Sequence, residues 1–64
     1  MRIDRVKFAA ELVKQDMTQK KLAEIAGVSR ATVNYVKRGK SCKDEIAFKI
    51  AKALGVPIET ILEN

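Results

Sequence analysis

Apolar residues in this 64-residue chain recur mostly at intervals of three and four, the spacing of one face of a helix. Breaks at Met17-Thr18, Gly27, Gly39 and Gly55-Val56-Pro57 divide them into five helical segments. The first, about Ile3 to Gln15, aligns Val6, Ala9, Ala10 and Val13 with Ile3, Phe8 and Leu12 widening the stripe, which predicts a scaffold helix with that face in the core. Thr18 is placed to cap the second, whose inner residues Leu22, Ala23, Ile25 and Ala26 precede Gly27, a residue suited to a left-handed turn after a helix. Ser29 is placed to cap the third, Arg30 to about Arg38, which offers only Val33 and Val36 to an interior. The fourth, about Asp44 to Leu54, puts two acids at the positive end of its dipole and turns Ile46, Ala47, Ile50, Ala51 and Leu54 inward, with Phe48 beside them. Pro57 starts a short fifth helix that holds Ile61 and Leu62.

Composition agrees with helices. Aromatic residues make up only 5% of the chain against 47% hydrophobic residues, so Ala, Ile, Leu and Val must build the core, a mix that suits packed helices better than strands. The expected fold class is all-α, in one domain over residues 1–64, since a chain this short holds a single core. Without histidine, and with Cys42 alone, no internal disulfide, zinc site or Cys/His chemistry is expected. The carboxylates are scattered over helix ends, so no catalytic residues, metal, cofactor or small-molecule ligand are expected either. No apolar run approaches the roughly 20 residues that span a bilayer, and MRIDRVKFAAELVKQ places charges where a signal peptide carries an apolar stretch. These features predict a cytoplasmic protein that does not enter membranes.

The net charge is +5, and its distribution says more than its size. Residues 18–43 carry Lys20, Lys21, Arg30, Lys37, Arg38, Lys40 and Lys43 against one acid, Glu24, while the flanking stretches are nearly balanced. Such concentration predicts a basic patch facing a polyanion.

The same stretch holds two short helices joined through Gly27-Val28, the spacing of a helix-turn-helix over about residues 18–38, which seats its second helix in the DNA major groove. MTQKKLAEIAGVSRATVNYVKRGK closely resembles the Cro/repressor-type (XRE) helix-turn-helix family of phage and bacterial regulators. FKIAKALGVPIETIL resembles that family's fourth and fifth helices, so the likeness covers about Met17 to Leu62. It departs at Gly39-Lys40-Ser41-Cys42-Lys43, which is shorter than the usual family segment and lacks its frequent proline. The resemblance implies a five-helix lambda-repressor-like domain that binds double-stranded DNA and regulates transcription, as a Cro-like repressor of a phage or mobile element. An antitoxin or restriction-control regulator of the same fold is the alternative, with a protein-interaction module that binds no DNA behind it.

Residue roles follow from a helical wheel and from side-chain chemistry. At about 100° per residue, Val33 and Val36 define one side of the third helix, and Arg30, Ala31, Asn34, Tyr35 and Arg38 surround the opposite side. Arg30 matches guanine O6 and N7, Asn34 matches adenine N6 and N7, Ala31 meets a thymine methyl, and Tyr35 meets a base or a phosphate. The resemblance implies base contact at these same four positions. Gln19 opens the second helix and is similar to the family glutamine that holds a phosphate, while Arg38, Lys40, Ser41 and Lys43 follow the third helix where the DNA backbone should pass. A single helix-turn-helix reads few base pairs, so a weak or DNA-induced homodimer on a palindromic operator is expected. Val56, Ile58, Ile61 and Leu62 are more apolar residues than a terminal helix needs for docking, and they are the expected dimer contacts.

Overall fold

The computed structural model describes residues 1–63 and shows four α-helices: α1 (Arg5–Lys14), α2 (Gln19–Ala26), α3 (Arg30–Lys37) and α4 (Asp44–Leu54). The expected fifth helix is a single 3-10 turn, Ile58–Thr60, preceded by Pro57. Three of the four helices begin at a side-chain cap. Asp4 accepts the N–H groups of Val6 and Lys7 at 2.8 and 3.0 Å, Thr18 accepts that of Lys21 at 3.0 Å, and Ser29 accepts that of Thr32 at 3.0 Å. The Lys7 N–H leads the interactions that hold the Asp4 carboxyl below its ordinary range. Lys43 stands at the start of α4 without a side-chain cap bond, where Asp44 and Glu45 supply negative charge to the helix dipole instead.

The core gathers Ile3, Phe8, Leu22, Ala23, Val33, Val36, Ala47, Ile50, Ala51, Leu54 and Ile61. Helix α2 packs against both α3 and α4, and α1 packs against α3. Two isolated antiparallel bridges tie in the ends, Arg2 with Ser41 and Ile3 with Leu62. The Asp4 N–H also donates to the Ile61 carbonyl at 2.8 Å. Residues before Asp4 are therefore extended, and α1 starts later than periodicity alone predicts.

Helix α1 also turns a different face inward. Val6 is 71% and Val13 81% exposed, Ala9 and Ala10 are exposed as well, and the buried residues of the helix are Phe8 and Glu11. The inward face runs through Phe8, Glu11 and Leu12, with Gln15 at its end. Burying a phenylalanine removes more apolar area from water than burying a valine or an alanine, and that difference selects the face. Glu11 is accommodated by hydrogen bonds: Lys14 Nζ donates to its Oε1 at 3.5 Å and Gln15 Nε2 to its Oε2 at 3.3 Å. Gln15 Nε2 further donates to the Leu54 carbonyl at 2.7 Å and joins α1 to the end of α4. Ile25 and Phe48, expected in or beside the core, are each about half exposed. Ile61 is fully buried and serves the core, so it has no surface to give a partner copy and drops out of the expected dimer contacts. Val56, Ile58 and Leu62 are half-buried.

Among the described residues no helix is long and apolar enough to cross a membrane.

Candidate nucleic-acid interface

The geometry of the site begins with the turn between α2 and α3. Gly27 adopts φ 72°, a left-handed conformation that costs most side chains energy, and its N–H and that of Val28 both donate to the Ala23 carbonyl at 3.0 and 3.1 Å. Ala23 is buried and small, which lets α3 cross close to α2. Ser29 then starts α3, and its hydroxyl lies 2.8 Å from that of Thr32.

Val33 and Val36 have no exposed surface, so the rotation of α3 about its axis is set. Arg30, Ala31, Asn34 and Tyr35 are consequently exposed, as the wheel predicts, and Tyr35 shows about half its surface. An eight-residue helix is about 12 Å long. The helix therefore offers a guanidinium, a methyl, a carboxamide and a phenol along one exposed side.

Polar residues flank α3 on both sides of the chain. Gln19 is the first residue of α2 and is half-buried. Arg38 closes α3, with its N–H donating to the Asn34 and Tyr35 carbonyls at 3.1 and 3.2 Å. Gly39, at φ 83°, reverses the chain, and Lys40, Ser41 and Lys43 follow, all exposed. Cys42 is half-buried between them, and burial foremost pushes its thiol above the ordinary value, so it stays protonated.

A model of the helix-turn-helix family matches residues 8–61 of this chain. The chain belongs to the XRE-type helix-turn-helix family. Its helix-turn-helix comprises α2, the Gly27 turn and α3. An HTH-type transcriptional regulator of Methanocaldococcus jannaschii is 47% identical to this chain over 47 residues, which span 72% of this chain and 71% of that protein. Among solved structures, native PhpD with cadmium atoms resembles the whole of this chain at a TM-score of 0.85 and 23% identity, and the chain spans 14% of PhpD's length. The transcriptional regulator VanUg resembles 97% of this chain over 83% of its own, at a TM-score of 0.82 and 24% identity. Both structural likenesses show the fold.

Two basic residues outside the helix-turn-helix come to its border. Arg2 bridges to Ser41, and Arg5 lies against the turn at Gly39. Local pattern carries no signal for either, because each meets a segment more than thirty residues away in the chain.

Proposed function

We propose that the protein is a sequence-specific, double-stranded-DNA-binding regulator of transcription, a Cro-like repressor of a phage or mobile element, which reads the major groove with α3. The observation that carries this reading is the division of α3: Val33 and Val36 are fully buried while Arg30, Ala31, Asn34 and Tyr35 are all exposed, with Gln19, Arg38, Lys40, Ser41 and Lys43 at the borders. Arg30, Ala31, Asn34 and Tyr35 face base edges, where Arg30 pairs with a guanine and Asn34 with an adenine. The border residues hold phosphates and set the register of the helix on the duplex.

Binding as a symmetric dimer follows from the short reach of one recognition helix, with half-sites of a palindromic operator about one DNA turn apart. Val56, Ile58 and Leu62 supply the pairing surface. Three half-buried side chains make a patch well below the area of a stable free dimer, so the pair forms on DNA.

The test is retention of the protein by duplex DNA as salt is raised. With about 6–10 phosphates neutralised per dimer, affinity falls by about 10³–10⁵ between 50 and 200 mM salt. Selection from random duplexes then yields a palindrome. A flat salt response, or a saturated complex that contains one chain, overturns the reading.

A further inference from the structure

Arg2 and Arg5 precede residues 8–61, the part of the chain that matches the family pattern. They come from a stretch whose own charge is nearly balanced, with Asp4, Glu11 and Asp16 close by in sequence. The fold separates them from that balance. Arg2 pairs with Ser41 in an antiparallel bridge, and next to it the Cys42 N–H donates to the Met1 carbonyl at 2.9 Å, so the first residues run alongside the segment that follows α3. Arg5 opens α1 with its Cδ 3.5 Å from where a Cβ on Gly39 would stand, which lays the arginine stem along the turn at the end of α3.

Two openings on the surface show the company Arg5 keeps. One, of about 250 Å³, is lined by Arg5 and Arg38 with Asp4, Val6, Gly39 and Glu63. The other, of about 320 Å³, is lined by Arg5 and Lys37 with Val6 and Ala9. The Asp4 carboxylate has Oδ1 occupied by the N–H groups of Val6 and Lys7, and Glu63 is the remaining acid of the first opening. Among the described residues neither arginine is held in an ion pair, and both are exposed. Arg2, Arg5, Lys37, Arg38 and Lys40 thus converge on one end of the recognition helix, a higher density of positive charge than residues 18–43 supply there by themselves.

We propose that Arg2 and Arg5 bind phosphates of the same duplex that α3 reads, extending the backbone contacts of Lys40 and Ser41 beyond the helix-turn-helix. The inference rests on the DNA-binding reading above. A guanidinium pairs with a phosphate through two parallel N–H donors and carries no information about the base, so this clamp adds affinity without preference.

The experiment compares wild type, the double variant R2Q/R5Q and the charge-keeping variant R2K/R5K on a selected operator and on random duplex, across 50–200 mM salt. Each phosphate contact contributes about 0.9 to the slope of log affinity against log salt. R2Q/R5Q removes four contacts from a bound dimer, so it should bind both duplexes more weakly by a similar factor, and its loss of affinity over that salt range should be about a hundredfold smaller than that of wild type. R2K/R5K should keep most of the slope, and the melting temperatures should agree because both side chains are exposed. Wild-type binding with an unchanged slope in R2Q/R5Q overturns the clamp and leaves the DNA reading standing. A loss confined to the operator also overturns it, in favour of base contact. If wild type binds neither duplex, both readings fall together.

Discussion

Helices α1 and α3 are of similar length, and each presents valines at helical spacing, yet the fold treats those valines in opposite ways. Val33 and Val36 of α3 have no exposed surface, whereas Val6 and Val13 of α1 are among the most exposed apolar residues of the molecule. Helix α3 has a single apolar side, so its rotation follows from its pattern alone. Helix α1 has two, one of valines and alanines and one of Phe8 and Leu12 interrupted by Glu11. The second wins because a phenylalanine and a leucine bury more area, and because Glu11 finds donors on its own helix, in Lys14 and Gln15. Periodicity locates an apolar stripe, but it does not say which of two stripes faces the core.

The sharpest way to break this comparison is to exchange the two sides of α1. Phe8→Ala should destabilise the domain by about 3–5 kcal/mol, enough to leave a chain of this size largely unfolded, while Val13→Ser should fall within about 0.5 kcal/mol of wild type in chemical denaturation. Equal costs would mean that α1 sits the other way round. On α3 the outward side should matter for DNA and not for folding. Arg30→Ala should cost about 1–3 kcal/mol on the operator and relax preference at one base pair per half-site, with an unchanged melting curve. Lys40→Ala, by contrast, should weaken operator and random duplex alike, which competition binding distinguishes directly.

Smaller effects sharpen what holds α1 in place. Gln15→Ala removes the donor to the Leu54 carbonyl and to Glu11 and should cost about 1 kcal/mol, with faster amide exchange at the α1–α4 junction as the local sign. The cap of α1 gives the weakest and the most diagnostic response. Because the folded chain holds the Asp4 carboxyl below its ordinary range, the ionised cap adds stability that is complete above about pH 4 and is lost as pH falls through the lowered value. In Asp4→Asn, which keeps an acceptor but cannot titrate, the melting temperature should lose that component of its acid dependence. An identical pH profile in the two proteins would assign the acid sensitivity to other carboxylates.

Much of the helix-turn-helix was legible along the chain. Thr18, Ser29, Gly27 and the Val33/Val36 pair each act within a few residues of themselves, and caps, a left-handed turn and a two-residue anchor keep their meaning wherever the segment is placed. Ile25, Phe48 and the first helix misled for one reason: their burial depends on neighbours from other helices. Ile61 was legible as apolar but not as core. Its place is set by the hydrogen bond from the Asp4 N–H to its carbonyl and by the bridge of Ile3 with Leu62, both between opposite ends of the chain.

The sequence by itself determined where α2, α3 and α4 start and stop and which edge of α3 is exposed, because hydrogen bonds within a few residues and a single apolar stripe decide those features. Tertiary structure alone decided which side of α1 is buried and that Arg2 and Arg5 stand beside Ser41 and Gly39. Those outcomes compare burial on alternative faces and join residues far apart in the chain, and such energies exist only once the helices have packed.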